Sequence, residues 1–355
     1  MNKTFIAWLA GCFLLLASTA FAAPTTPTED FTDNGDGTVT HRITGLTWMR
    51  CAMGMTWDGT TCAGTAGAYT WDEAKALTAN FAGFSDWRLP SIAELHTIVE
   101  RDAYDPAVNG TVFPNTPVSI FWSASASVGY SPYAWNVNFY YGDSFAYPKT
   151  NANQVRLVRA EQSFDPLAPY TPTTDFVDNN DGTATHLKTG LMWKRCAEGQ
   201  SWSGATCSDT AAGYDWGTAV TLSSSAAGYS DWRLPTESEL LSIVEYGLLF
   251  PAINTTIFPN STASIFWSAS APPSDSPNAS IAWCVHFNGG IACIQDKPGA
   301  YQARLVRAGQ FFSSLGFIPQ TGVAPNTDIT SNTLIVAGVS SATRISIFGG
   351  SYAIN

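Results

Sequence analysis

A loop-rich α+β fold, present as two tandem copies, is what this sequence predicts. Three observations carry it. The chain repeats itself over most of its length, each repeat opens with turn chemistry that reads as short antiparallel strands, and capping sequences later in each repeat start short amphipathic helices.

The repeat is the strongest of the three. An offset of 145 residues, from Cys51 to Cys196, lays Asp33-Asn34-Gly35-Asp36-Gly37-Thr38 on Asp178-Asn179-Asn180-Asp181-Gly182-Thr183. It also lays Ser85-Asp86-Trp87-Arg88-Leu89-Pro90 on Ser230-Asp231-Trp232-Arg233-Leu234-Pro235, and Ile120-Phe121-Trp122-Ser123 on Ile265-Phe266-Trp267-Ser268. A three-residue insertion widens the offset to 148, from Arg156 to Arg304, where Arg-Leu-Val-Arg-Ala recurs. Each copy is long enough for its own core, so tandem domains are expected rather than a solenoid. Copy 1 is placed at 27–161, a linker containing Pro166, Pro169 and Pro172 at 162–172, and copy 2 at 173–309. The Thr-, Ser-, Val- and Ile-rich stretch 310–355 reads as the start of a β-domain, cut short.

Within a copy, Asn34-Gly35, Asp36-Gly37 and Thr44-Gly45 supply the positive φ of tight turns, the last leading into a strand from Leu46 to Arg50. Thr70 and Glu73 fit a capping box, with Trp71, Ala74 and Leu77 on the buried side of the helix that follows; Asp215 is the corresponding cap in copy 2. Ser91-x-x-Glu94 and Thr236-x-x-Glu239 start a second helix, whose apolar face is Ile92, Leu95, Ile98 and Val99 in copy 1 and Leu240, Ile243 and Val244 in copy 2.

The first residues read as a secretory leader: Lys3, an apolar run from Phe5 to Ala17, then Ala20-Phe21-Ala22, giving a signal peptide at 1–22. Leu9-Ala10-Gly11-Cys12 offers a lipoprotein box as the rival reading, but the apolar run continues past Cys12. A periplasmic or extracellular location follows. No other stretch is apolar for long enough to span a membrane. The formal charge of −11, one unit more negative without Lys3, argues against nucleic acid as a partner. Beyond Cys12 the cysteines form three close pairs, Cys51 and Cys62, Cys196 and Cys207, Cys284 and Cys293, with no Cys-x-x-Cys to suggest zinc or redox work. In an exported chain these are disulfides. A two-residue turn at Asn288-Gly289 would set Cys284 directly opposite Cys293 on a hairpin.

The order Trp-x-x-Ala, Trp-Arg-Leu-Pro-[Ser/Thr]-x-x-Glu-Leu, Phe-Trp-Ser-Ala-Ser and a closing Val-Arg resembles the Lcl C-terminal-domain family over both copies. It is more distantly similar to the formylglycine-generating-enzyme family. Both resemblances imply a C-type-lectin-like fold, with two helices around small twisted antiparallel sheets and a long loop region used for binding. The chain departs from both chemistries. Only copy 2 has late cysteines, with Asn136 and Phe145 in their place in copy 1, and the sugar-binding Glu-Pro-Asn signature of calcium-dependent lectins is replaced by Phe113-Pro114-Asn115 and Phe258-Pro259-Asn260.

No catalytic residue is assigned. His41, His96, His186 and His286 lack metal-ligand spacing and no nucleophile motif accompanies them. The Asp-Asn-Gly-Asp-Gly segments carry oxygen donors of the calcium type, but glycine stands where alternate ligands belong, so they read as turns; no cofactor is expected, with calcium the alternative. Trp87, Arg88, Glu94, Trp122 and Arg159, with Trp232, Arg233, Glu239, Trp267 and Arg307, are read as framework. Tyr130, Tyr133, Trp135, Tyr140, Tyr141 and Tyr147 are read as a ligand-binding aromatic face, since tyrosine stacks on sugar or peptide at low entropic cost. The expected function is recognition or adhesion, with carbohydrate or a surface protein as partner. The alternatives are an enzyme related to the formylglycine-generating oxidases, which needs a free thiol or a metal, and a structural cell-surface component.

Overall fold

The computed structural model describes residues 25–159, 170–271 and 279–308. The signal peptide, most of the linker, the tail and the loop holding Pro272, Pro273, Asp275 and Asn278 lie outside them.

Copy 1 runs β1 (Phe31–Asp33), β2 (Thr38–His41), β3 (Thr47–Met49), β4 (Thr56–Trp57), β5 (Cys62–Ala63), α1 (Trp71–Ala76), α2 (Ile92–His96), β6 (Ile120–Ala126), β7 (Tyr133–Asn138), β8 (Asp143–Pro148) and β9 (Val158–Arg159). Copy 2 repeats the order as β10 (Phe176–Asp178), β11 (Thr183–His186), β12 (Leu191–Lys194), β13 (Ser201–Trp202), β14 (Cys207–Ser208), α3 (Trp216–Ala219), α4 (Glu237–Leu241), β15 (Ile265–Trp267), β16 (Ile281–His286), β17 (Ile291–Asp296) and β18 (Val306–Ala308). The class is α+β: small antiparallel sheets and a few short helices in two tandem, loop-rich domains.

In each copy the chain ends are brought together in one sheet. Its order is β1-β2-β3-β9 in copy 1 and β10-β11-β12-β18 in copy 2, so the last strand pairs with the third, Trp48 facing Val158 and Trp193 facing Val306. The turn from β1 to β2 needs glycine for space as well as for its φ of +87°: a Cβ at Gly37 would stand 2.8 Å from the Trp57 ring. A second sheet, β6-β7-β8 or β15-β16-β17, packs behind both helices.

Both helices start where the capping residues stand. Ser91 Oγ accepts from the Glu94 N–H at 3.1 Å while the Glu94 carboxylate accepts from the Ser91 N–H at 2.8 Å. The same carboxylate takes both guanidinium nitrogens of Arg88, at 2.8 and 2.6 Å, and Glu239 does the same for Arg233 at 2.7 and 2.6 Å. One side chain thus caps the helix and anchors the Trp-Arg-Leu-Pro segment. The helix is shorter than its apolar spacing implies. It stops at His96, where Ile98 and Val99 bond back only three residues, and Val99 then bridges Val108.

The three disulfides are Cys51–Cys62, Cys196–Cys207 and Cys284–Cys293. Cys284 pairs with Cys293 across β16 and β17. The connection is wider than a two-residue turn, however. Gly290 at φ +83° donates to the His286 carbonyl, and Phe287 donates to Ser264 in a neighbouring segment.

A single buried hydrophobic cluster runs through both copies and joins where Trp135 meets Tyr246, with centroids 5.7 Å apart. Strands β8 and β17 lie side by side at this junction, and the Ala292 N–H donates to Ser144 Oγ at 3.0 Å. Each sheet edge is thereby covered by the other copy.

His186 makes acid stability testable. Its ring stacks on Phe176 at 4.6 Å, Nδ1 faces Thr189 Oγ1 at 2.9 Å, and burial holds the imidazole down at about 4. Between pH 6.5 and about 4 the unfolded chain therefore takes up a proton that the folded one refuses, so stability is full above 6.5 and is lost as the pH falls. At most about 3 kcal/mol is involved. His186→Gln should flatten the fall in urea midpoint between pH 7 and pH 4.5; an unchanged slope would refute the assignment.

Candidate functional site

Helix α1 begins the site. Its capping box, Thr70 with Glu73, sets the first turn so that Trp71 points inward, where its Nε1 donates to the Ser123 carbonyl at 2.8 Å. Lys75, one turn on, lies exposed with Nζ 4.3 Å from the Trp71 ring, and Lys149 Nζ approaches the same ring at 4.3 Å. Strand β6 adds Ala124, Ser125 and Ala126, and the loop after it adds Val128.

The opposite wall belongs to copy 2. The Glu245 carboxylate accepts from the backbone N–H groups of Tyr170, Thr171 and Gly247 at 3.1, 2.8 and 3.0 Å, which pins the first described residues of copy 2 against the turn after α4. Asn254 Nδ2 holds the same segment through the Thr171 carbonyl and Thr173 Oγ1. Tyr170 then reaches across: its ring sits edge-on to Tyr246 at 5.3 Å and its hydroxyl lies 2.6 Å from Ser125 Oγ.

Between these walls is a cleft of about 760 Å³, which both copies line. Its mouth is apolar, with Val128 59% and Leu248 45% exposed, while the exposed Thr255 and Thr256 supply hydroxyl groups; those of Thr171 and the Asn254 amide are engaged within the protein. Glu245 is consumed by backbone donors, which leaves Lys75, beside the Trp71 ring, as the exposed charge among the lining residues. No histidine, cysteine or aspartate is among the lining residues. The chemistry available there is apolar contact, hydrogen bonding and one positive charge.

The tyrosines do not form one face. Tyr130, on the loop that carries Val128, and Tyr133, at the start of β7, have ring centres 4.7 Å apart at a tilt of 59°. Tyr140 and Tyr141, 4.4 Å apart and joined by Tyr104, lie past the far end of β7, roughly 20 Å away along the strand. Tyr147 is half-buried, stacked on Phe145. Trp135 lies apart from them: at 4% exposure its ring packs on Tyr246 in the junction between copies. Strand β7 is buried on both faces, from Ala134 to Val137.

The framework residues lie in the core and its ion pairs. Trp122 and Trp267 are fully buried, their Nε1 atoms bonded to the Tyr69 and Tyr214 carbonyls; Trp87 and Trp232 bond those of Phe81 and Ala226. Arg159 pairs with Asp86 at 2.9 Å and Arg307 with Asp231 at 2.7 Å.

In the Asp-Asn-Gly-Asp turns the donors are already engaged. Asp33 accepts from Gly35 and Arg50, and Asp36 accepts from the Thr38 N–H and hydroxyl. Among the described residues no three His, Cys, Asp or Glu side chains gather into a metal-binding group.

Sequence reasoning missed two features. One is the cleft itself, because it lies between repeats that were read one at a time. The other is a set of fully buried arginines, Arg101, Arg156 and Arg304. The last two were visible as the first arginine of the recurring Arg-Leu-Val-Arg.

Burial separates the aromatic residues by experiment. Trp135→Ala should cost about 3–5 kcal/mol in urea unfolding, whereas Tyr130→Ala, at an exposed ring, should change stability by no more than about 0.5 kcal/mol. Equal losses would show that Tyr130 is also a packing residue.

Compared with known families, the chain matches the Lcl C-terminal domain twice, over residues 37–159 and 182–307. Curated proteins give no match. The three disulfides fit an exported protein, and among the described residues no helix is long and apolar enough to cross a membrane. With both copies matched nearly end to end and more than half the chain covered, the protein belongs to the Lcl C-terminal domain family.

Proposed function

We propose that this protein is a non-enzymatic recognition module, exported by its leader, that binds carbohydrate through the cleft between its two copies. The observation that carries the reading is the lining of that cleft: the half-buried Tyr170 ring with the buried Trp71 and Tyr246 behind it, the exposed Thr255 and Thr256, apolar lips and a rim lysine. Sugars are bound by stacking against aromatic faces with hydroxyl and amide groups alongside. The protein is further proposed to be C-type-lectin-like in fold. In support, each copy joins its ends in one sheet, carries two short helices and sets a separate three-stranded sheet among long loops.

No bound cofactor is invoked. The carboxylates of the Asp-Asn-Gly-Asp turns already have protein donors, so calcium would have to displace them. A surface protein as ligand is the second reading, favoured by the exposed Val128, Tyr130, Leu248 and Phe250, which exceed what a small glycan would cover.

Chain lacking residues 1–22, screened on a glycan array, should bind a restricted set of glycans. Leu248→Asp and Lys75→Glu, both at exposed positions, should weaken that binding at least tenfold without lowering the melting temperature, and EDTA should leave it unchanged. A blank array with retained binding to cells would favour the protein ligand. Blank results in both formats, or binding indifferent to the two substitutions, would refute the cleft as the site.

A further inference from the structure

The two copies meet through equivalent surfaces. Trp135 and Trp283 correspond in the repeat, as do Ser144 and Ala292, Arg101 and Tyr246, and Ile92 and Glu237. Ser144 and Ala292 touch each other directly, so the junction is built about a local two-fold relation. On one side of it Tyr246 of copy 2 packs on Trp135 of copy 1. On the other side Arg101 of copy 1 lies over Trp283 of copy 2, 4.8 Å from the ring centre. The same geometry is thus filled twice, once by an aromatic ring and once by a cation.

That difference is matched at a second position. Arg101 Nε stands 2.7 Å from Glu237 Oε2, with side-chain exposures of 1% and 0%. On the symmetric side these two positions hold Tyr246 and Ile92, so no charge is present. Arg101 also donates to the Gly142 carbonyl at 2.5 Å and faces His96 Nδ1 at 3.2 Å. The carboxylate and guanidinium are thus in close contact with both side chains closed off from solvent. A buried pair of this kind adds little to stability compared with an apolar pair, while removing one member is costly.

We infer that the Arg101–Glu237 pair is a recognition device: the junction surface accepts the other copy and rejects a like one. Two first copies in the same arrangement would bury two arginines against Ile92. Two second copies would bury two glutamates against Tyr246. Each like pairing leaves two buried polar side chains, Arg101 or Glu237, without the partner they have in the mixed pairing. An exported chain crowded among its own kind would therefore keep copy 1 on copy 2.

The test uses the whole chain with a protease site inserted after Asp165 in the linker. The chain is cleaved in place, light and isotope-labelled preparations are mixed until their halves exchange, and the pairs are weighed by native mass spectrometry. In the natural sequence, mixed pairs should account for all but about one in a hundred, because each like pair buries two Arg101 or two Glu237 side chains without their partner. The double variant R101Y/E237I, which makes both sides of the junction alike, should admit like pairs up to about half of the total, the random share for equal affinities. Like pairs at the random share in the natural sequence would overturn the inference. So would exclusive mixed pairing in the double variant, or halves that separate and do not pair again. The natural-sequence arm decides the matter even where the variant folds poorly.

Discussion

One buried guanidinium per copy holds the fold together. Arg156 lies 1% exposed beneath the ends of β3, donating to the Met49 and Arg50 carbonyls and to Thr116 Oγ1, with the Phe113 ring 4.7 Å away. Arg304 repeats this with the carbonyls of Lys194 and Arg195, Ser261 and Phe258. Burial disfavours the charge, pulling each down to about 9, yet several fixed acceptors compensate, and a guanidinium offers enough donors to serve them all. The segment that follows supplies the strand closing the first sheet. The carbonyls it grips directly precede Cys51 and Cys196. Chain closure, disulfide loop and aromatic core therefore meet at one cation. It uses an arginine because a lysine could not span these acceptors in plane.

The same logic appears once more at the junction, with a different result. Arg156 is satisfied by neutral groups of its own copy, so it stabilises the copy. Arg101 is compensated by a carboxylate of the other copy, so it ties the two together. Burial outweighs the attraction of Arg101 and raises the Glu237 carboxyl to about 7. That is consistent with a pair whose value lies in specificity rather than in net stability.

Local features of the fold were legible because they are decided within a few residues. The capping boxes at Ser91 and Thr236, the glycine turns after β1 and β10, and the Cys284–Cys293 register each follow from spacing alone. The end of α2 was not, since apolar spacing continues through Ile98 and Val99 while the chain turns to let Val99 meet Val108. The spread of the tyrosines over separate places was hidden for a related reason. Composition counts aromatic residues in a segment, but β7 is a central strand buried on both faces and separates its two ends, so Trp135 is covered and Tyr140 lies away from Tyr133. Hardest of all was Arg101 with Glu237. Aligning the repeats shows each as an isolated difference between copies, and only the contact between copies reveals that the two differences compensate.

That contact also bears on where a ligand would sit. The cleft takes Trp71, Lys75 and Val128 from copy 1 and Tyr170, Leu248 and Asn254 from copy 2. Tyr246 belongs to the junction on one side and to the cleft on the other, packed against Trp135 and Tyr170 at once. Whatever sets the pairing of the copies therefore sets the width and lining of the cleft. A pairing of like copies would place a different set of side chains opposite Lys75 and Val128, even with each domain intact. On this view the repeat is more than two binding domains on one string. Duplication supplied two similar surfaces, divergence at Arg101 and Glu237 made them complementary rather than identical, and the site they enclose exists only in the mixed pair.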